Sequence, residues 1–424
     1  MNRLSFAAVS PTRPALLAAL LTAFACSSSE SATPSGPAAS DGGAAATPDG
    51  ASDATDASAP GVTACVRKAV TGDRVRAVIV SHPSDQNGEK ATDYEIIHLG
   101  LDGKLARDGA HFTMGRNFNA PIFFSPDGEI GIAVQDDDGS LGIFRMTPSG
   151  TADVVAAKFG KESFYADAAV FSADGSRLFI ADSNRKTTGG IHEVEIACDG
   201  TPTYRGRIFE SPGSTALRLL PTSSKLLVSA ASAPGAAADH DIFLLDVASR
   251  PVKLESSTAL FGDGNAIAKG LDVTPDGKVG LVSDANEFLG TNRVGVVSLA
   301  TGLTKVAVLD IEGPSGVVVS PYGNTALVTA AGGGSIDAFY VLSLAPSGMA
   351  TSGGKFASLM GAKPQLPTSP VVVGDGTLKG LILVAEVEGV RRLRFEPNGG
   401  VTDLGVFTLQ GGLEASVGSV GVQP

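Results

Sequence analysis

A short unit of apolar strand, tight turn and second apolar strand recurs along the chain, and its spacing limits the fold more than any other feature. The clearest turns are of the Ser-Pro-Asp-Gly type, and their glycines are Gly128, Gly175, Gly277, Gly323 and Gly376. Successive steps are 47, 102, 46 and 53 residues, and the longest spans two repeats because a worn copy lies near Lys225. A period near 50 with short strands and hairpin turns is typical of β-propeller blades.

The residue types in these repeats indicate strands rather than helices. Pro presets φ for a turn, Asp accepts a backbone hydrogen bond and Gly adopts a positive φ, so the recurring tetrapeptide suits a hairpin. The chain has 53 Gly and 24 Pro among 424 residues, and only 18% of its residues are charged. Helical solenoids and long coiled coils are excluded, because neither tolerates so much Gly and Pro together with β-branched runs.

The two ends of the repeat region complement each other. Six full copies occupy roughly 119–410, and the last segment, Ser416–Pro424, looks like a first strand with no second strand after it. The folded region starts with Arg74–Val80 and Tyr94–Ile97, which look like second and third strands that lack a first. Pairing the two ends removes free sheet edges. The prediction is an all-β, seven-bladed β-propeller over 62–424, with the N- and C-terminal strands sharing one blade; six or eight blades are the alternatives.

The repeats, for example Val318–Ala331 followed by Ile336 and Val341–Leu344, resemble the YVTN and lactonase-like seven-bladed β-propellers. The resemblance covers nearly all of 62–424 and implies that fold, but this superfamily mixes lactone hydrolases with surface proteins of the adhesion type. Its lactonase members typically place a His shortly before the first strand of a repeat. None of the matching positions is His; they are Asn119–Pro121, Ala166–Ala168, Ser214–Ala216, Ile267–Lys269, Pro314–Gly316 and Thr368–Pro370.

These positions decide the predicted function. Without a His there, the channel has no proton carrier of the kind that general acid–base catalysis needs. We therefore assign no catalytic residue, metal site or cofactor, and predict a non-catalytic binding or scaffolding module. The alternative is a lactonase-like hydrolase with a divergent channel site.

The N-terminus has the pattern of an export signal over residues 1–25. Arg3 and Arg13 precede an apolar run over 14–25, which is too short to span a bilayer but suits a signal-peptide core. Ordinary secretory cleavage after Ala25 is one interpretation. The segment also resembles a bacterial lipoprotein signal, which implies lipidation of Cys26, and we favour this interpretation. The predicted location is the cell envelope with a lipid anchor; a soluble periplasmic or secreted protein is the alternative.

The segment 26–61 is predicted to be a disordered tether. It holds 30 Ser, Ala, Thr, Gly or Pro residues, five acids and Cys26, so it has no bulky apolar side chain to offset the entropy of ordering. Cys65 and Cys198 then remain as a pair in an oxidising compartment, where a disulfide is permitted. Their spacing matches no metal motif, and a disulfide and two free buried thiols are equally compatible with it.

Charge narrows the choice of partners. The net charge is −12, which excludes a nucleic-acid binder because phosphate neutralisation needs clustered Lys and Arg. The loops between second and third strands gather on one face of a propeller, and their acids predict a negative face that favours cations. An acidic surface that serves only solubility is the alternative. The acids of this predicted face are Asp136, Asp137, Asp138, Asp182, Asp239, Asp241, Asp284, Glu287 and Glu386.

The basic residues of the last repeat and the partners of the chain complete the expectations. Arg391, Arg392 and Arg394 alternate along a strand beside several Glu residues, which predicts an ordinary solvated sheet face. The partner is expected to be a protein, an envelope polymer or a small ligand, with membrane contact only through the lipid anchor. The chain itself is expected to be a monomer.

Overall fold

The computed structural model describes residues 65–424 except 85–89, 119, 136–138, 161–164, 186–188, 222, 263–267, 287–290, 333–335, 362 and 410–416. The predicted signal peptide, tether and lipidation site at Cys26 lie outside the described residues. The segment Val62–Pro424 forms one compact unit. In its described part, all regular structure consists of β-strands, arranged in seven antiparallel sheets of four strands each.

The first four blades each consist of four strands, ordered from the inner to the outer edge of the sheet. Blade 1 has β28 (Val420–Val422), β1 (Arg76–Ser84), β2 (Lys90–Leu99) and β3 (Leu105–Thr113). Blade 2 has β4 (Ile122–Phe124), β5 (Ile130–Val134), β6 (Leu141–Met146) and β7 (Ala152–Phe159). Blade 3 has β8 (Ala166–Phe171), β9 (Arg177–Asp182), β10 (Gly190–Ile196) and β11 (Pro202–Glu210). Blade 4 has β12 (Ala216–Leu219), β13 (Lys225–Ser229), β14 (Ile242–Asp246) and β15 (Lys253–Thr258).

The remaining three blades follow the same order. Blade 5 has β16 (Ala268–Val273), β17 (Val279–Asn286), β18 (Thr291–Ser298) and β19 (Thr304–Asp310). Blade 6 has β20 (Pro314–Val319), β21 (Thr325–Ala330), β22 (Ala338–Leu344) and β23 (Ala350–Lys355). Blade 7 has β24 (Thr368–Val372), β25 (Leu381–Glu386), β26 (Gly389–Phe395) and β27 (Val401–Thr408).

The blades form a closed ring, and the predicted seven-bladed propeller is confirmed. Each inner strand contacts the inner strands of both neighbouring blades, including β28 with β4 and with β24. Blade 1 combines the two chain ends, because β28 pairs antiparallel with β1 through Val80 opposite Val420 and Val78 opposite Val422. The shared blade inferred from the incomplete terminal repeats is therefore present. It closes the ring without a covalent bond between the ends.

The Ser-Pro-Asp-Gly turns have a common hydrogen-bond pattern, seen for example in blade 2. The Ser125 hydroxyl donates to Asp127 and accepts from the Ile130 N–H at 3.0 Å, while the Gly128 N–H donates to the Ser125 carbonyl at 2.8 Å. Gly128 has a φ of 73°, which a residue with a Cβ rarely adopts. The turns around Ser172 and Thr274 repeat these bonds. The side with these turns is called the turn face, and the opposite side the loop face.

The core lies between the blades. Seven hydrophobic clusters each join residues of two neighbouring blades, as where Ile132 and Ile143 of blade 2 pack with Ile180 and Val194 of blade 3. The middle strands β5, β21 and β25 are buried along their whole length. Burial on both faces explains their unbroken apolar runs. The fourth strand of each blade was missed in the sequence because strands such as β19 and β11 have no buried residue and lack such a run.

Residues 65–75, called the N-terminal strap, cross the turn face before the chain enters blade 1. Cys65 forms a disulfide with Cys198 in blade 3, with 4.9 Å between their Cα atoms. The buried Arg67 donates from Nη2 to the Ala197 carbonyl at 2.6 Å, and its own N–H donates to the Asp174 carbonyl at 2.7 Å. At its other end, the Gly72 N–H donates to Asp375 of blade 7 at 2.7 Å. The strap thus connects blades that are not adjacent in sequence.

Candidate functional site

The central channel is bordered by the first strands, where the resemblance placed a catalytic site. The described positions before these strands include Ala166, Ser214 and Pro314, and none of them is a His. A charged cluster between these strands is structural. Asp272 of β16 forms an ion pair with Arg218 of β12 at 3.0 Å and accepts the Val319 N–H of β20 at 2.7 Å. It therefore ties three consecutive inner strands together.

The prediction of an exposed acidic face is wrong for four of its five described carboxylates, which are buried. Asp182, Asp241 and Asp284 are 0% exposed, and Glu386 is 3% exposed. Asp239 is exposed, while Asp136, Asp137, Asp138 and Glu287 lie outside the described residues. Loop position alone does not predict exposure here, because the connections between blades fold over the ends of the second strands.

Two of the buried acids hold loop backbone in place. Asp182 accepts the N–H groups of Tyr165 at 3.0 Å and Asn184 at 2.9 Å. Asp241 accepts three consecutive N–H groups, with distances of 2.8 Å, 2.9 Å and 2.8 Å, from Leu260, Phe261 and Gly262. Both carboxylates are 0% exposed, so these N–H groups supply the hydrogen bonds that water cannot reach to make. The two carboxylates therefore serve the fold rather than an external cation.

Other acids pair with bases on the neighbouring strand inside a blade. In blade 5, Asp284 accepts from Arg293 Nε at 2.7 Å. In blade 1, Glu95 is 0% exposed and lies 3.3 Å from His82 Nε2, and it also accepts two hydrogen bonds from Arg107. Burial raises the pKa of Glu95, but its bonds to His82 and Arg107 outweigh this and lower the pKa overall. These pairs join strands of one blade and hold the sheets together.

A cleft of about 340 Å³ opens on the loop face of blade 7 and is called the blade-seven cleft. One wall comes from the connection between blades 6 and 7, and the other from the ends of β25 and β27. A cavity of this size accommodates a small organic ligand. Its lining residues are Met360, Gly361, Lys363, Gln365, Glu386, Glu388, Gly405, Val406 and Thr408.

A buried ion triad supports the floor of this cleft. Arg391 is 0% exposed and donates from both Nε and Nη2 to Glu386, and from Nη1 to Asp403 at 2.8 Å. Asp403 also accepts the Met360 N–H at 2.8 Å and the Gly405 N–H at 2.8 Å. The Arg391 guanidinium therefore donates to two carboxylates. Through Asp403, which accepts from Met360 on one wall and Gly405 on the other, it also links the two walls of the cleft.

The triad changes the acidity of the carboxyl that faces the cleft. Burial raises the pKa of Glu386 to about 6, and the negative charge of Asp403 adds to the rise although Arg391 opposes it. Burial lowers the pKa of Arg391, but its two carboxylates reverse this and raise the pKa overall. A carboxyl whose pKa lies near neutrality in a cleft is typical of functional sites.

The sequence interpretation of this region needs two corrections. Arg391 was predicted on a solvated sheet face and instead is wholly buried beneath the cleft. Glu386 belongs to the predicted acidic face but acts here in a pair rather than as part of a negative surface. Lys363 and Asp403 were not singled out. For Asp403, the sequence offers one signal, which is that it follows Arg391 at the spacing of one hairpin. For Lys363, the sequence offers none.

Neither a metal centre nor a membrane-spanning helix is present in the part of the chain that the structure describes. Within these residues, no group of three or more His, Cys, Asp or Glu side chains is arranged to hold a metal ion. No helix in the same part of the chain is long and apolar enough to cross a bilayer.

Comparison with solved structures identifies the class of fold. A periplasmic gluconolactonase from Pseudomonas aeruginosa superposes with a TM-score of 0.57 and 16% identity, over 83% of this chain and 99% of the other. A Bacteroides uniformis protein provisionally assigned as a 6-phosphogluconolactonase superposes with a TM-score of 0.61 and 13% identity, over 82% of this chain and 100% of the other. A Lactobacillus plantarum protein superposes with a TM-score of 0.61 and 12% identity, over 83% of this chain and 100% of the other.

At these identities the similarity establishes the seven-bladed β-propeller fold and nothing finer. No protein-family model matches the chain. No curated protein matches it either. Function is therefore inferred from the chemistry of the blade-seven cleft.

Proposed function

We propose that the chain is an exported, lactonase-like hydrolase that opens small lactones in the blade-seven cleft. The observation that carries the proposal is Glu386, a carboxyl with a pKa of about 6 that faces a cleft of about 340 Å³. A general base works best when its pKa lies near the working pH. Above pH 6, Glu386 is ionised and able to accept a proton, while Arg391 keeps it oriented.

The reaction follows from the groups in the cleft. Glu386 takes a proton from a water molecule as the water oxygen bonds to the lactone carbonyl carbon. The carbonyl oxygen gains negative charge, which the Lys363 ammonium stabilises from the cleft wall. The ring C–O bond then breaks, and the departing alkoxide receives the proton from Glu386. The product is a hydroxy acid, and no oxidant or cofactor is consumed.

This proposal replaces the non-catalytic scaffolding function that the channel positions first favoured. The missing His at those positions removes only the His-based chemistry that the resemblance implied for the channel, and the cleft provides a base elsewhere. The fold adds support, since one neighbour named above is described as a gluconolactonase and another is provisionally assigned as a 6-phosphogluconolactonase.

The test is lactone hydrolysis by the full chain, purified from the cells that produce it. A panel of small lactones is assayed with the natural protein and with the variants Glu386→Gln and Glu255→Gln. Glu255 is an exposed partner of Lys225 in blade 4, so its variant controls for the loss of one carboxylate. Turnover that falls at least about a hundredfold in Glu386→Gln alone supports the proposal. No turnover of any lactone, or equal turnover in Glu386→Gln, contradicts it.

Export with a lipid anchor at Cys26 is part of the same proposal. The apolar run before Cys26 and the small-residue segment after it support it, and one neighbour is a periplasmic protein. The Cys26→Ser variant should move from the membrane fraction to the soluble fraction. Unchanged fractionation and unchanged mass in that variant would contradict the anchor.

A further inference from the structure

The charges that a ligand can reach in the blade-seven cleft are unequal. Arg391 is wholly buried, and its donors are directed at Glu386, Asp403 and the Met360 carbonyl, so it cannot contact a ligand. Asp403 is also satisfied, by Arg391 and two backbone N–H groups. The charged groups left to line the cleft are Glu386, Glu388 and Lys363. A ligand therefore meets two carboxyls and one ammonium.

The buried charges leave this excess unchanged. Behind Glu386, the Arg391 guanidinium and the Asp403 carboxylate offset each other, so the carboxyls of Glu386 and Glu388 still outnumber the ammonium of Lys363. Asp337 lies behind the same connection, where it accepts the Leu366 N–H at 3.0 Å. Within the described residues, neither Lys363 nor Glu388 forms an ion pair. The charge of Glu388 is therefore available to a ligand.

From this arrangement we infer that the cleft selects lactones that carry an ammonium or similar cationic group, and rejects those with a phosphate or carboxylate. The inference rests on the proposed function and adds the substrate class to it. The ammonium lies beside Glu388, which leaves Glu386 to accept the proton of the water molecule, and the lactone carbonyl faces Lys363. A cation at this place neutralises the excess negative charge, whereas an anion meets Glu388 and has only Lys363 as a partner.

The test uses lactams, because these isosteres of lactones resist hydrolysis and report binding alone. Three probes share one ring: 3-aminopyrrolidin-2-one is cationic, pyrrolidin-2-one is neutral and pyroglutamate is anionic. Calorimetric titration of the full chain at about pH 7 and low salt should show the cationic lactam binding about tenfold tighter than the neutral one. Pyroglutamate should bind more weakly than both.

Two variants locate the preference. Glu388→Gln should reduce the preference for the cationic lactam to about two- to threefold, while Glu255→Gln should leave it unchanged. Equal binding of the three lactams, a preference for pyroglutamate, or no binding of any at millimolar concentration overturns the inference. If the preference is present but no lactone is hydrolysed, the selection stands and only the proposed hydrolysis fails. If lactones are hydrolysed but the three lactams bind equally, the proposed hydrolysis stands and only the selection for cationic substrates fails.

Discussion

Cys65 and Cys198 form a disulfide although 133 residues separate them in the sequence. The bond ties the start of the N-terminal strap to the connection after β10, and Arg67 places the strap across the turns of blades 2 and 3. The ring is thus held by two devices: strand pairing between β28 and β1, and a covalent link from the strap to blade 3. Removing either of these two connections should therefore destabilise the propeller in a way that can be measured separately.

Removal of the disulfide should destabilise the propeller. A cross-link that closes a loop of this length restricts the unfolded chain, and native disulfides typically contribute about 2–4 kcal/mol. Cys198→Ser should therefore lower the free energy of unfolding by roughly that amount in denaturant titrations. The natural protein treated with a reductant should show the same loss, and the variant should not respond to the reductant. Equal stability of the variant and the natural protein contradicts the role assigned to the bond.

Deletion of 417–424 should abolish cooperative unfolding. The segment includes β28, whose Val420 is fully buried between blades 1 and 7, and its loss exposes the edge of β1. The effect should greatly exceed the ~1 kcal/mol of a typical point change. Removal of Pro424 alone leaves β28 intact and provides the control. Calorimetry should show a sharp transition for the control and none for the longer truncation; identical transitions would mean that β28 does not close the ring.

Asp241→Asn should destabilise the fold by about 1–3 kcal/mol, because the amide cannot accept all three backbone N–H groups that the carboxylate accepts. Asp239→Asn is a matched control two residues earlier, since Asp239 is exposed. Thermal unfolding of the two variants should differ clearly. Equal melting temperatures would contradict the structural role of Asp241 and favour the exposed position predicted from the sequence.

Lactone hydrolysis should increase as the pH rises through about 6, because burial raises the pKa of Glu386 to that value and only the ionised form accepts a proton. A plot of log kcat/KM against pH should have unit slope below the pKa and a plateau above it. In Glu386→Gln the residual rate should lose this inflection. An inflection near pH 6 that persists in the variant assigns it to another group.

Stability should respond to pH at the same residue with a defined sign. The pKa of Glu386 is higher in the folded protein than its ordinary value of 4.5, so the folded state binds more protons between pH 4.5 and 6. This group's contribution to stability is therefore present at low pH and is lost as the pH rises through that window, by about 2 kcal/mol. Relative to the natural protein, Glu386→Gln should gain stability across the window in urea titrations. A constant difference between the two would contradict the raised pKa.

Most of the fold was predictable from local chemistry. The strands and turns follow from side chains close in sequence, as when the Ser125 hydroxyl, Asp127 and Gly128 form one hairpin. The incomplete repeats at the two ends predicted the pairing of β28 with β1. An unpaired strand edge is unfavourable, and each end lacks the strand that the other end supplies. The outer strands escaped detection, since their exposed positions do not need apolar side chains.

The candidate site depends on tertiary structure. Arg391, Glu386 and Asp403 lie on three strands of blade 7, and nothing in their alternating pattern distinguishes a buried triad from a solvated sheet face. The cleft also needs the connection between blades 6 and 7, which carries Lys363. By itself, the sequence determined the repeat, the turns and the closure of the ring, because these are set by residues within one hairpin or by the count of strands. Only the tertiary structure decided which charges are buried and which face a ligand, because burial and pKa depend on neighbours brought together from separate parts of the chain.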